Sequence, residues 1–533
     1  MNKIKQIPFH PLFFALYPVL FLYTHNINML QIHHIYRSIF FIIILSILVW
    51  FVLHLILRHP LKSALLATFS LVLFFSYGHV LSLLGNFSER LFGIQRDIYL
   101  SVHYFALWVV VVLLITQAKT VNIRIANQFA NILGIILLIL PTFSFLTHAQ
   151  TNTSIKKDEL FYKIEQYVDL SGTPESLPDI YYIIPDGYAR QDVLEDLYDH
   201  DNSEFYSNLK KRGFLIAGKS NSNYAQTMLS LGSTLNLHYI QDIFPDIDMY
   251  SSDREPLAEL ISDNLVARLL RHFGYEYIVF SSGYSGTEIP DADVYMAPSI
   301  SMNEFENMII ETTPVGNIGD ALQFKSQHEL HIDRIKYTFN ELPYVSSDNS
   351  PSFIFVPLVI PHPPFVFNEE GVVDEFPIGF TYSDGSHYHG FDKTIQQEYK
   401  NGYVGQIQYV NKKILTTIDN IINNSNIPPI IILQADHGPG MMLHWEKPEK
   451  TDYRERLGIL NAYYVNDEMK DMLYDSITPV NTFRLLFNSY FNASFPLLED
   501  KSYFSRWSLP YYFIEKSDSV TNSENMFDVT MGK

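Results

Sequence analysis

The chain has 533 residues, 47% of them hydrophobic and only 18% charged, with a formal net charge of −20 and no cysteine. The charge is split: residues 1–150 hold nine Lys and Arg against two acids, a net +7, while the other 383 hold 28 against 55, a net −27. These figures exclude a single small soluble domain, a basic nucleic-acid binder, and all disulfide, thiolate-zinc and cysteine-nucleophile chemistry.

In chain order, five apolar stretches come first: Phe9–Ile27, Ser38–Leu57, Ser63–Leu84, Tyr99–Ile115 and Phe129–Leu146. Each is close to the roughly 17–25 residues a helix needs to cross a bilayer. None contains Lys, Arg, Asp or Glu, the side chains that cost most in hydrocarbon. If the spans alternate, Lys3, Lys5, Arg58, Lys62, Lys119 and Arg124 fall on one side and Arg37, Arg90 and Arg96 on the other. That asymmetry puts the first side in the cytoplasm, so five crossings deliver the rest of the chain to the extracytoplasmic side. Residues 1–148 therefore read as a five-helix membrane domain.

Residues 149–178 read as a polar linker with a short helix around Glu159–Tyr167. From Asp179 the pattern changes. Apolar runs of strand length (Ile180–Ile184, Tyr275–Phe280, Phe353–Ile360, Ile430–Leu433, Ile459–Val465) alternate with helical segments such as Ser203–Arg212, closed by Gly213, and Asn264–Phe273, closed by Gly274. Continuous Ile, Val and Tyr runs separated by helices predict an α/β domain, 179–515, with a mostly parallel sheet covered on both faces. Residues 516–533 lack periodicity and read as a flexible tail.

Ligands of such sheets collect at the carboxyl ends of the strands. There the sequence places Asp186-Gly187 after the first run, Pro361-His362-Pro363 after a later one, and Asp436-His437-Gly438 after Ile430–Leu433. Two carboxylates and two imidazoles form a set that suits zinc or manganese where no thiolate exists. A nucleophile is available in Asn221–Leu231, a polar loop that turns into an apolar-periodic helix with Thr227 at its start. A hydroxyl there either caps the helix or, beside free backbone N–H groups and a metal, becomes an activated nucleophile. Ser230 and Ser233 lie further into the helix and read as packing residues.

Asp186, Thr227, His362, Asp436-His437-Gly438 and His444, in that order and after five apolar spans, resemble the sulfatase-like branch of the alkaline phosphatase superfamily. In layout the chain is most similar to lipoteichoic acid synthases and lipid A phosphoethanolamine transferases. The specific motifs lie between Asp179 and Trp445. The resemblance implies that Asp186, Asp436 and His437 bind one divalent metal, zinc or manganese, together with the Thr227 hydroxyl. Thr227 would attack a phosphodiester and hold a phospho-alcohol as a covalent intermediate. His362 and His444 match family histidines that contact the phosphate, protonate a leaving group or help hold a second metal; which does which is left open.

The implied activity moves a phosphoethanolamine- or phosphoglycerol-type group from a phospholipid donor to an envelope glycan or lipid, at a bacterial-type cytoplasmic (inner) membrane. The same motifs serve an extracytoplasmic phosphodiesterase or phosphatase with water as acceptor. A reading of another class is an inactive ectodomain that acts as a binding partner. With no cysteine, and with Met228-Leu229-Ser230 after Thr227, the chain departs from the disulfide-bearing transferases and excludes the formylglycine route of sulfatases.

Overall fold

The computed structural model describes residues 7–85, 90–91, 94–151, 164, 166–168, 177–299, 301–318, 325–345, 350–373, 382–383 and 393–521. The chain forms two compact units, residues 1–152 with 302–327, and residues 153–301 with 328–533.

Among the described residues up to 151, the first unit has five α-helices: α1 (His10–His25), α2 (Tyr36–Leu57), α3 (Pro60–Gly85), α4 (Arg96–Gln117) and α5 (Thr120–Thr151). Among the described residues, four helical stretches, Ile32–Leu57, Pro60–Leu84, Arg96–Gln117 and Thr120–His148, are long and apolar enough to cross a membrane. The expected first span is shorter than read: α1 has 16 residues, about 24 Å at 1.5 Å per residue, against about 30 Å of hydrocarbon. Asn26 ends it by donating its backbone N–H to the Leu22 and Tyr23 carbonyls. Buried His10 is paired, as apolar surroundings favour: it bridges Thr68 (2.6 Å) and Asn127 (2.9 Å). Outward-facing side chains are apolar instead, with Phe40, Leu55 and Leu140 exposed.

Residues 302–327, read from the sequence as part of the α/β domain, cluster with these helices. The reason is the apolar face of the helix Glu304–Glu311. Its Phe305 and Ile309 pack in one core with Leu30, Ile35, Leu71 and Phe75. Asn303 and Glu306 form a reciprocal capping box, and Glu306 pairs with Arg37 at 3.1 Å. Gly78 permits the close approach, because a Cβ there would lie 2.0 Å from the Glu311 carbonyl oxygen.

The second unit is built on a seven-stranded sheet. Its elements are β1 (Ile180–Pro185), β2 (Leu215–Ile216), α6 (Thr227–Leu235), β3 (Glu276–Phe280), β4 (Val294–Met296), α7 (Gln327–Glu341), β5 (Ser352–Leu358), α8 (Lys393–Asn424), β6 (Ile430–Gln434) and β7 (Asn461–Tyr464). The strand order is β2-β7-β6-β1-β5-β3-β4. From β6 to β4 every pairing is parallel. The expected strand near residue 460 runs antiparallel to β6, and β2 pairs antiparallel with it at the edge. A hairpin of β8 (Tyr503–Arg506) and β9 (Leu509–Glu515) follows.

The central strands β1, β5 and β6 are mostly apolar and buried along their length because both faces are covered. Ile180, Tyr182 and Ile184 of β1 join one core, with Leu265, Val266, Leu269 and Leu270 of the helix Leu265–His272. Tyr181 and Ile183 join the other, with Tyr403, Ile407, Ile414 and Ile418 of α8. Ile430 and Ile432 part from Ile431 and Leu433 in the same way, the two-residue alternation of a pleated strand. Gly213 and Gly274 follow their helices with φ of +92° and +87°, the left-handed cap conformation read from sequence.

Most of the expected 149–178 linker, including Glu159–Tyr167 apart from 164 and 166–167, lies outside the described residues, and α5 extends to Thr151. The expected tail begins instead with a short helix, Ser517–Thr521, because Val520 is buried against Trp445, Tyr453 and Phe504. Residues 522–533 lie outside the described residues.

Candidate active site

β6, β1 and β5 are adjacent and parallel, so the residues after their last positions emerge together at one sheet edge. Asp186 follows β1, donating its backbone N–H to the Leu358 carbonyl (2.9 Å) and accepting from His362 N–H (3.0 Å). This exchange ties the end of β1 to the segment after β5. Gly187 turns the chain at φ +73°, which costs glycine nothing, and its N–H donates to Asp436 Oδ1 at 3.2 Å.

Asp436 and His437 follow β6. Asp436 Oδ1 also accepts from His437 N–H at 2.9 Å, and Ser222 Oγ donates to the Asp436 carbonyl. Both residues are 1% exposed. His437 Nδ1 lies 2.9 Å from the Gly438 carbonyl. A carbonyl only accepts, so Nδ1 carries the proton and Nε2 presents its lone pair. Around that Nε2 stand Thr227 Oγ1 at 3.0 Å, Asp436 Oδ2 at 3.3 Å and Asp186 Oδ1 at 3.6 Å. Gly438 is required by packing, since a Cβ would lie 2.0 Å from the Glu455 carbonyl oxygen.

Thr227 is the first residue of α6, and Gln226 occupies the capping position with extended backbone. Thr227 is therefore not the cap, and its hydroxyl faces His437. Gln226 is anchored in turn, its amide donating to Ser505 and to the Arg506 carbonyl at 3.0 to 3.2 Å. Ser233 Oγ donates to the His238 carbonyl and Ser230 Oγ lies 3.2 Å from Ser222 Oγ; both serines are fully buried, as packing residues are.

Asp186, Asp436 and His437 offer three ligand atoms that all lie within 4.8 Å of one another. Burial raises the Asp436 pKa, opposed by the Thr227 hydroxyl, the Gly187 N–H and the nearby Arg456 and His362. Two carboxylates and a neutral imidazole with its lone pair turned inward are expensive to bury without a cation. Oxygen, oxygen and nitrogen donors fit zinc or manganese, and the Nδ1–H bond to a carbonyl is the outer support that metal-binding histidines use.

His362 stands beside the cluster, its ring centroid 6.3 Å from that of His437. Its Nδ1 lies 2.7 Å from the Pro363 carbonyl, so Nδ1 carries the proton there too. His444 is not part of the cluster. It is half-buried, and Thr451 holds its backbone through bonds of 2.9 and 3.1 Å.

The structure adds residues that sequence reading did not single out. Arg456, 2% exposed, places Nη2 3.2 Å from His437 Nε2. On α7, buried His331 and Arg334 stand near His362; burial first, then these charges, hold the His331 pKa well below its usual value. Arg456 sits in Tyr453-Arg-Glu-Arg-Leu457, which reads as a solvated turn of helix. No spacing signal marks it, because its partners lie 231 and 18 residues away.

No family model matches the chain, and no curated protein matches it. Among solved structures, the C-terminal periplasmic domain of EcEptC from Escherichia coli is similar at 11% identity over 67% of this chain and 96% of that one, with a TM-score of 0.42. The integral membrane protein lipooligosaccharide phosphoethanolamine transferase A from Neisseria meningitidis is similar at 12% over 90% and 95%, TM-score 0.38. A putative sulfatase from Bacteroides thetaiotaomicron is similar at 12% over 63% and 75%, TM-score 0.37.

Proposed function

We propose that the protein is a membrane-anchored, metal-dependent phosphotransferase that works through a phospho-threonine intermediate on Thr227. The observation that carries this reading is the convergence of Asp186, Asp436 and His437 with the Thr227 hydroxyl at the first position of α6. That arrangement supports attack on an electrophile carrying negative charge, because the first turn of a helix presents free N–H groups and positive potential. A divalent metal held by Asp186, Asp436, His437 and Thr227 would supply positive charge to the attacking oxygen.

In the first step the Thr227 Oγ–P bond forms as the P–O bond to the lipid alcohol breaks. Thr227 gives up its hydroxyl proton and the departing alcohol gains one. His362, whose Nδ1–H faces the Pro363 carbonyl and whose ring stands beside that of His437, is assigned to carry that proton. In the second step the O–P bond to an acceptor hydroxyl forms as the Thr227 Oγ–P bond breaks, and the acceptor's proton is passed to Thr227 Oγ, restoring the hydroxyl. The apolar N-terminal helices would hold the enzyme where a donor headgroup lies, with the catalytic unit on the extracytoplasmic side of a cytoplasmic (inner) membrane. The donor class is a phospholipid and the acceptor an envelope glycan or lipid.

The test incubates the full chain in detergent with phospholipid labelled in its headgroup, then maps the adduct and the product by mass spectrometry. An adduct on Thr227 and a labelled lipid- or glycan-linked product are expected. Labelled free headgroup phosphate alone would make water the acceptor. Unchanged activity in Thr227→Ala would overturn the reading.

A further inference from the structure

Two side chains on one turn of α8 reach the strand ends. Tyr403 and Gln406, three residues apart and so on one face of the helix, are both fully buried. The Tyr403 hydroxyl donates to the Gly187 carbonyl at 2.8 Å and accepts from the Ala189 N–H at 3.0 Å, which fixes the turn just after Asp186. Gln406 reaches the segment after β5 instead. Its Nε2 donates to the carbonyls of Pro361 and His362, both at 3.1 Å. Its Oε1 accepts from the N–H groups of Val366 at 3.0 Å and Phe367 at 3.4 Å. A glutamine side chain has two amide protons and two carbonyl lone pairs. Here all of them are spent on the backbone around one histidine.

The helix is shaped for this contact. Gly402 and Gly405 flank Tyr403, although glycine weakens a helix interior. A Cβ at Gly402 would run into the Phe365 ring, and one at Gly405 would lie 3.3 Å from the Asn368 Cα. The two glycines thus let the segment lie against α8, within reach of Gln406.

His362 is held on both sides as a result. Its N–H donates to the Asp186 carbonyl at 3.0 Å, and its own carbonyl accepts from Gln406. The ring is tied down locally, with Nδ1 2.7 Å from the Pro363 carbonyl. The place of the imidazole beside His437 is therefore set from a helix 44 residues further along the chain.

We propose that Gln406 is a positioning residue for proton transfer. It holds His362 where the imidazole gives its proton to the departing alcohol oxygen as the P–O bond breaks. Tyr403 serves the other strand end, holding the turn that carries Asp186. The inference rests on the roles given to His362, Asp186 and Thr227 in the proposed function.

The test compares two phosphodiesters on the full chain in detergent. One is phospholipid labelled in its headgroup, whose departing alcohol needs a proton. The other is bis(4-nitrophenyl) phosphate, whose nitrophenolate leaves without one. Calorimetry reads Mn²⁺ binding alongside. Gln406→Met keeps the side-chain volume but none of the amide bonds. It should lower phospholipid turnover about 10²-fold, as a small misplacement of a reacting group does, and nitrophenyl ester turnover about threefold or less. Its Mn²⁺ affinity should stay within about twofold of wild type, because no metal ligand is touched. Tyr403→Phe should show the reverse: Mn²⁺ binding about tenfold weaker, with the ratio of the two turnovers unchanged. A merely structural role would lower Mn²⁺ affinity and both turnovers together. If Gln406→Met does not fold, Gln406→Asn, which withdraws the amide by one methylene, decides on the same ratio.

Equal losses on the two esters, or undiminished phospholipid turnover in the Gln406 variant, would overturn the proposal. A wild type that consumes both esters without a Thr227 adduct would remove the covalent-transfer reading, while the ratio of turnovers still judges Gln406. A wild type that leaves the phospholipid intact would overturn both, since no alcohol would then receive a proton.

Discussion

The two units spend similar apolar side chains in opposite ways. Among the described residues, α2, α4 and α5 turn Phe40, Phe41, Val102, Phe105, Leu140 and Phe143 outward, whereas β1, β5 and β6 bury nearly every side chain. In the helices apolar surface is the outer coat and the paired polar groups, His10 with Thr68 and Asn127, lie inside. In the sheet apolar surface is the core, and buried polar groups gather where the parallel strands end. Hydropathy thus marks where a segment goes, while the groups with catalytic potential gather where the sheet stops.

The largest effects should come from the strand ends. Asp436→Asn is expected to abolish divalent metal binding and to lower phosphotransfer by at least about 10³-fold, read by metal analysis and product formation. Full metal content in that variant would remove Asp436 from the ligand set. Gly438→Ala should cost about 3 kcal/mol, because the added methyl meets the Glu455 carbonyl at 2.0 Å. A denaturation midpoint equal to wild type would show that the loop yields.

A matched pair tests the contrast itself. Ile432→Ala, at a position with no exposed surface, should cost about 2–4 kcal/mol, and Leu140→Ala, 73% exposed, about 0.5 kcal/mol or less. Equal losses in detergent-solubilised protein would mean that the helix face is covered by something other than lipid.

A further prediction, a pH dependence, concerns Glu455. It is fully buried, and burial raises its pKa from 4.5 to about 7, opposed by bonds from Tyr198 (2.5 Å) and the Met442 N–H (2.8 Å). A carboxyl with a raised folded-state pKa binds more protons folded than unfolded. Stability should therefore fall as pH rises from about 4.5 through 7 and level off above. Glu455→Gln should lack this fall, gaining about 3 kcal/mol over wild type at pH 8 and nothing at pH 4. Parallel thermal unfolding curves for the two proteins across that range would rule out the buried-acid account.

Much of this was legible in the residues themselves. Strand-length Ile, Val and Tyr runs foretold β1, β3, β5 and β6, because a strand covered on both faces has no polar side to show. Asp186, His362, Asp436 and His437 could be named because they follow such runs, and Thr227 because its helix begins there. Arg456 could not, since its Ala225 and Gly438 partners are assembled by folding. The sequence does not say which unit the helix Glu304–Glu311 joins, because amphipathicity states that a face needs covering and not by what. Nor does hydropathy show that α1 is short, because apolar residues continue past Asn26, where the helix ends.

Composition and periodicity by themselves determined the division into an apolar helical region and an acidic α/β region, since both depend on each residue's own affinity for water and its neighbours along the chain. Only the tertiary structure decided that residues 302–327 join the helices, that Thr227 faces His437 rather than capping α6, and that a guanidinium shares the same nitrogen. Those outcomes depend on distances between residues far apart in sequence, which the packing of the sheet and its covering helices sets.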